Sequence, residues 1–307
     1  MKGVKDMESR LKKKYLAQLV TIALGSMFAI TAHTAPTVIT NGVDTSATIA
    51  DAGYFSATGI FGLSFMDREF VNLGTFSSNW SLNANGLSAG IANEDGESNP
   101  FASTAITDID GSILVTSNPG SDWSIIERIT IPSSGHVAVQ VQLTNNTGAA
   151  ATDVEWGVGI DPDQGIPAGF GYETRNVINA LGDGASVTAT SPDGWALTLA
   201  DLIGGPANTV AYVDPSSCCV PVDPHLMLTA GQLPDNYGFF DRSINLAYDL
   251  GTIANNQSIS FGYEYAMAIT DPFTPPPPPI PEPMTYAMLL AGLGLLGFAV
   301  RRRKETA

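Results

Sequence analysis

Residues 137–160 read VAVQVQLTNNTGAAATDVEWGVGI, and this stretch decides the fold class. Apolar residues occupy every second position of its first part: Val137, Val139, Val141 and Leu143. After the turn-forming NNTG at 145–148, the alternation resumes: Val154, Trp156, Val158 and Ile160. A period of two is typical of β-strands, so the stretch predicts a strand, a loop and a second strand, each with one buried face.

The same pattern extends in both directions from this hairpin. Upstream, a strand with apolar alternation ends at Pro132, and its buried face contains Trp123, Ile125, Ile129 and Ile131. Downstream, strands at 187–190 and 195–199 flank a Pro-Asp-Gly turn, residues 218–235 form a long loop, and the last strand alternates from Ile259 to Ile269. No helical period of 3.6 occurs in the body. We therefore predict an all-β fold, an extended antiparallel β-sandwich over residues 36–271, flanked by an N-terminal signal helix and a C-terminal transmembrane helix.

Charge is distributed very unevenly along the chain. Between residues 36 and 274 there are 26 acidic residues against four arginines and no lysine, a formal charge of −22. Nucleic acid is excluded as a partner, because phosphate binding requires clustered cations. Strong negative charge favours solubility and attracts divalent cations.

The two cysteines, Cys218 and Cys219, are neighbours in sequence. Adjacent Cα atoms lie about 3.8 Å apart, below the usual separation in a disulfide, so an ordinary intrachain bridge is disfavoured. Inert thiols, a strained ring between neighbours, and intermolecular pairing or metal binding remain open.

Residues 1–35 have the three parts of a secretory signal peptide. Six cationic residues precede Tyr15, an apolar run follows to Ile30, and small residues surround Ala32 and Ala35. This pattern predicts Sec-type export with cleavage after Ala32 or Ala35. The alternative is a permanent N-terminal anchor helix.

The C-terminus consists of four consecutive parts. A proline-rich linker at 272–280 precedes Pro281, Glu282 and Pro283. An uncharged apolar run at 284–300 follows, and the cationic cluster comes after it: Arg301, Arg302, Arg303 and Lys304. A 17-residue apolar helix is about 25 Å long, enough to cross a membrane when flanking arginines extend to the interface. The positive-inside rule keeps the cluster in the cytoplasm and the body outside.

Residues 281–307 closely resemble the PEP-CTERM sorting signal of Gram-negative bacteria, which combines a Pro-Glu-Pro motif, a short apolar helix and a terminal arginine cluster. The resemblance implies that an exosortase-like membrane protease cuts near Pro281–Glu282–Pro283. It also implies transient anchoring in the inner membrane and a final location at the cell surface or in an exopolysaccharide matrix. The alternative is an uncleaved tail anchor.

Two segments carry pairs of aspartates with a following glycine, the beginning of a calcium-binding loop: Asp161 with Asp163, and Asp108 with Asp110. Neither continues into a complete EF-hand, because the glutamate is missing at the required distance. Ca²⁺ is therefore a candidate ligand, with ordinary turns as the alternative.

Catalytic signals are weak. The Gly-x-Ser-x-Gly spacing at 86–90 lacks the strand–turn–helix context of a nucleophile elbow, so no catalytic residue is assigned. Trp80, Trp195 and Tyr237 could stack on sugars, although core packing is the commoner use of such rings. We expect a non-enzymatic surface or matrix protein that binds polysaccharide or calcium. A secreted lyase or hydrolase delivered by the same signal is the alternative.

Overall fold

A computed structural model describes residues 37–49, 53–55, 62–71, 77–93, 103–109, 111–118, 122–202, 206 and 208–273. These residues form an almost entirely β structure of three antiparallel sheets, which confirms the predicted all-β class. The predicted signal helix and transmembrane helix lie outside the described residues. In the part of the chain that is described, no helix is long and apolar enough to cross a membrane.

Eighteen strands make up the sheets. The four-stranded sheet has the order β1 (Thr37–Thr40), β2 (Thr45–Ile49), β3 (Leu63–Phe65) and β4 (Arg68–Glu69). The five-stranded sheet has the order β15 (Asn208–Val213), β17 (Ile244–Ile253), β11 (Ala151–Ile160), β5 (Ser78–Ala84) and β6 (Leu87–Asn93). The nine-stranded sheet has the order β16 (Asn236–Phe240), β12 (Thr174–Ala180), β13 (Ser186–Thr190), β14 (Trp195–Asp201), β18 (Ser258–Ile269), β10 (His136–Asn145), β9 (Trp123–Ser133), β8 (Ser112–Asn118) and β7 (Ser103–Ile109).

The two larger sheets pack face to face over an aromatic core. The Trp80 and Trp156 rings of the five-stranded sheet stack with centroids 4.9 Å apart. Trp156 and Tyr248 of that sheet both contact Phe261 on β18 of the nine-stranded sheet. Because all four rings are buried, they exclude water from the centre of the sandwich.

The alternation on β10 has the structural consequence that its sequence predicts. Val137, Val139, Val141 and Leu143 are buried, whereas Gln140 and Gln142 are half-exposed. β10 lies between β9 and β18 in the nine-stranded sheet, and it pairs with β18 in continuous register from His136–Ala266 to Thr144–Ser258.

The prediction that β11 has one buried face is wrong, because both faces are covered. Gly157 and Gly159 replace the polar residues of an exposed face, and both are buried. A Cβ on Gly157 would lie 2.6 Å from Ser81 Oγ and 2.7 Å from Met227 Cε. The glycines therefore allow neighbouring segments to approach the strand closely.

Two further predictions need correction. β9 continues through Pro132 to Ser133, and its buried face includes Glu127 between Ile125 and Ile129. The predicted loop at 218–235 contains a short helix, α1 (Pro224–Thr229). Asp223 caps this helix by accepting a hydrogen bond from the His225 backbone amide, and Pro224 occupies the first turn, where its missing N–H costs nothing.

Candidate metal centre

Asp161 and Asp163 follow β11 directly, at one end of the five-stranded sheet. The Asp161 amide donates to Ser77 O, and the Asp163 amide donates to Phe70 O, each at 2.8 Å. These two bonds fix the backbone on which both carboxylates are carried. Asp241, in the connection between β16 and β17, approaches from a distant part of the chain.

The carboxylates of Asp161, Asp163 and Asp241 form a compact group. One oxygen from each residue lies within 4.8 Å of the other two. Asp163 is fully buried and Asp161 almost so, whereas Asp241 is exposed, so the group opens to solvent on the Asp241 side. Among the described residues, neither carboxylate oxygen of Asp163 has a hydrogen-bond partner.

The electrostatics of this group are unfavourable when no cation is bound. Burial, together with the negative charges of Asp161 and Asp241, raises the pKa of Asp163 to about 10. Burial and the charge of Glu173 raise the pKa of Asp241. Both pKa values rise for the same reason, because several acidic groups are held close together away from water.

Cys218 and Cys219 lie beside Asp161 and are joined in a disulfide between neighbouring residues, with Cα atoms 3.8 Å apart. Of the three alternatives that the sequence leaves open, the structure has the ring between neighbouring cysteines. Cys219 Sγ lies 3.5 Å from Asp161 Oδ2, and the Cys219 carbonyl accepts from Asn93 Nδ2 at 3.3 Å. A disulfide sulfur carries neither a proton nor a thiolate charge, so in this state the sulfurs supply no thiolate ligand.

Gln164 supports the loop that carries Asp161 and Asp163, called the aspartate loop below. Its side-chain amide donates to the carbonyl oxygens of Ala189 (3.0 Å) and Trp195 (3.2 Å), and its backbone carbonyl accepts from Arg68 Nη1 at 2.8 Å. The sequence pattern predicts a role for neither Gln164 nor Asp241. Asp241 has no local signal, because only tertiary folding brings it to a loop about 80 residues away.

For the other predicted site residues, the structure describes no side chain. Asp108 belongs to β7, but its side chain is not described, and Asp110 lies outside the described residues. The second calcium loop therefore stays a prediction. Pro281, Glu282, Pro283 and the cationic cluster 301–304 also lie outside the described residues.

A second group of polar side chains lies in a cleft on the outer face of the five-stranded sheet. His225 Nδ1 lies 2.9 Å from Glu155 Oε1, and the cleft is also bordered by Asn208, Thr209 and Asp249. The hydrogen bond to Glu155 and the negative charge of Glu155 both raise the pKa of His225. The pair joins α1 to β11, and the described residues lining the cleft include no Phe, Tyr or Trp.

The three rings that could stack on sugars each contact other residues of the protein. Trp80 is buried against Trp156, and half-buried Trp195 packs against Phe65, Phe70 and the Arg68 guanidinium. Tyr237 is half-buried, and its hydroxyl donates to Leu233 O at 2.9 Å. Ser88, of the Gly-x-Ser-x-Gly segment, lies on β6 in a β5–β6 hairpin.

Residues 279–304 match the PEP-CTERM protein-sorting motif. The chain carries a PEP-CTERM sorting motif. This match confirms the resemblance in the sequence, and it indicates an exported protein that passes through the membrane and is recognised by an exosortase-type processing system.

No curated protein matches the chain. Among solved structures, it is similar to the heparan sulfate lyase HepC from Pedobacter heparinus, with 12% identity and a TM-score of 0.42, covering 86% of this chain and 40% of that one. It is also similar to a heparinase III, the BT4657 gene product, with 9% identity and a TM-score of 0.42, covering 84% and 39%. The chain thus spans about 40% of the length of these proteins, and a likeness at this level carries no argument about activity.

Proposed function

We propose that this PEP-CTERM protein is a non-enzymatic component of the cell surface or extracellular matrix. Sec-type machinery exports it, its C-terminal segment anchors it transiently in the inner membrane, and an exosortase-like protease releases it near Pro281–Glu282–Pro283. The observation that carries the proposal is the match of residues 279–304 to the sorting motif.

The body supports a structural or binding role for the released protein. Its sandwich interior is filled by aromatic and aliphatic side chains, including Trp80, Trp156 and Phe261. Its formal charge of −22 suits a soluble protein that stays apart from its own copies and attracts cations. Polysaccharide or calcium are the ligand classes that this body would bind.

The open cleft beside β11 offers little support for carbohydrate-active chemistry. Glu155 and Asp249 both border it, but Glu155 is paired with His225. The described lining has no Phe, Tyr or Trp ring on which a sugar could stack.

The test of the sorting proposal is the intact mass of the protein recovered from the surface and culture fluid of its source cell. Release predicts a mass lacking the first 32 or 35 residues and the segment after the Pro-Glu-Pro motif. A variant with Pro281→Ala, Glu282→Ala and Pro283→Ala should keep its tail and stay in the inner membrane. The control Pro275→Ala and Pro276→Ala changes the linker alone and should be released like the wild type. A wild-type protein that stays in the membrane with residues 284–307 attached would show that the tail is only an anchor.

A further inference from the structure

We propose that Asp161, Asp163 and Asp241 bind a single divalent cation, with Ca²⁺ preferred, and that this cation ties the loop after β11 to the β16–β17 connection. The site goes beyond the sorting proposal and does not depend on it, because the tail lies outside the residues that form the site.

The spacing of the three carboxylates fits a shared cation. Calcium–oxygen distances are about 2.3–2.6 Å, so two oxygens on one Ca²⁺ lie at most about 5 Å apart. The closest oxygens of Asp161, Asp163 and Asp241 are all within 4.8 Å of one another. They can therefore reach one coordination sphere without movement of the backbone.

Asp163 provides an observation independent of this spacing. Its side chain is fully buried, and neither oxygen accepts a hydrogen bond from any residue that the structure describes. A buried carboxylate without partners is strongly unfavourable, and proteins normally pair such a group or give it a metal ion. A cation between the three aspartates would satisfy Asp163 and remove the repulsion that Asp161 and Asp241 exert on it.

The chemistry of the donors selects the class of metal. All three side chains offer hard carboxylate oxygens, which suit Ca²⁺, Mg²⁺ or Mn²⁺ better than the softer transition metals. The adjacent sulfurs of Cys218 and Cys219 are joined in a disulfide and cannot act as thiolates. Because Asp241 is exposed, water can complete the six to eight ligands that Ca²⁺ takes, whereas Mg²⁺ demands a more regular octahedron.

The competing explanation is that Asp163 simply keeps a proton and no cation binds. The two explanations differ in the behaviour of Asp163→Asn, which removes the charge and nearly preserves the shape. With a cation site, this variant should be more stable than the wild type in chelator and less stable in Ca²⁺. With a protonated Asp163, the order of stabilities should be the same in both buffers.

The experiment uses the full chain purified in detergent, stripped with EDTA, and titrated with CaCl₂ at constant ionic strength. Isothermal calorimetry should report one Ca²⁺ per chain, with a Kd at or below the range of about 10⁻⁴–10⁻³ M typical of extracellular modules. Saturation should raise the Tm, because the ion binds only the folded state. MgCl₂ at equal concentration should bind at least about tenfold more weakly.

Two variants locate the binding. Asp241→Asn changes an exposed residue, so the chain should fold, and its Ca²⁺ affinity should fall at least about tenfold. Asp271→Asn removes one exposed charge outside the group and should bind like the wild type. Equal Ca²⁺ affinity in wild type, Asp241→Asn and Asp163→Asn would overturn the proposal. So would the absence of stoichiometric binding at about 10 mM, ten times the weakest expected Kd, or the absence of the crossover in stability.

Discussion

Arg68 Nη2 lies 2.8 Å from Asp193 Oδ2, and this contact joins the four-stranded sheet to the nine-stranded sheet. Arg68 comes from β4, and Asp193 occupies the turn between β13 and β14. The same guanidinium donates to Gln164 O at 2.8 Å and lies 4.8 Å above the Trp195 ring. One side chain therefore connects a small sheet to both the aspartate loop and the main sandwich.

Replacing this arginine should loosen the small sheet. Arg68→Met removes both hydrogen bonds and the positive charge opposite Asp193, which keeps only its bond from Ser191 Oγ. We expect a loss of about 1–3 kcal/mol in the free energy of unfolding. Urea denaturation measures this loss, and hydrogen exchange should show faster opening of β3 and β4. Arg128→Met is the control, since the one side-chain hydrogen bond that Arg128 makes within the described residues goes to Ser112. Equal losses in the two variants would contradict the connecting role of Arg68.

The turn that holds Asp193 depends on Gly194. Its φ is +91°, and an added Cβ would collide with the backbone oxygen of Thr270. Gly194→Ala should therefore destabilise the protein by about 2–4 kcal/mol, through backbone strain and displacement of the 270–273 segment. Gly184→Ala is the matched control, because Gly184 has φ +86° and open space at its Cβ position.

The control variant should show only the strain of the left-handed backbone, about 1 kcal/mol. Thermal unfolding of the two variants measures the difference, which is the cost of the collision. If both variants had the same Tm, the close packing of Gly194 against Thr270 would make no contribution to stability.

The sequence predicts the fold best where strands alternate. β10 and β14 occur at the predicted positions, because one face of each packs on the core and local pattern determines which face. β11 differs, since its outer face is covered by α1 and the loop before it, which arrive from about 70 residues later in the chain. A local pattern carries no information about such a neighbour.

The aspartate site was half predictable for the same reason. Asp161 and Asp163 lie two residues apart and have a local spacing signal. Asp241 and the nearby disulfide come from other segments, and only the packing of the sheets brings them together. The sequence does not predict the burial of Glu127, because charged residues rarely occupy a buried strand position and only apolar residues indicate which face is buried.

The cationic cluster at the C-terminus should control both topology and processing. Replacing its residues with Gln removes the charge that holds this end in the cytoplasm. The variant consists of four substitutions: Arg301→Gln, Arg302→Gln, Arg303→Gln and Lys304→Gln. We expect tail-bearing protein in the periplasm or culture fluid, measured by intact mass after fractionation.

A charge-preserving variant separates charge from side-chain identity. With Arg301→Lys, Arg302→Lys and Arg303→Lys, the positive-inside effect remains, so membrane insertion should be normal. Membrane retention of the Gln variant at wild-type levels would show that the apolar run 284–300 is sufficient by itself.

Glu127 should make the protein less stable as pH rises. Its side chain is buried in the sandwich and Tyr263 donates to Oε1 at 3.4 Å, whereas Oε2 has no hydrogen-bond partner in the described part of the chain. Burial raises the pKa of Glu127 from 4.5 to about 8. Between these values the folded state holds a proton that the unfolded chain releases, so this contribution to stability is complete below pH 4.5 and is lost as pH rises to 8. Relative to the wild type, Glu127→Gln should therefore gain on the order of 5 kcal/mol in stability as pH rises from 4.5 to 8, at about 1.36 kcal/mol for each pKa unit of the shift. Urea denaturation of both proteins across pH 4–9 measures the difference in their free energies of unfolding. The contributions of other acids, such as Asp201, are the same in both proteins and cancel. Parallel pH profiles would show that Glu127 is ionised in the folded state.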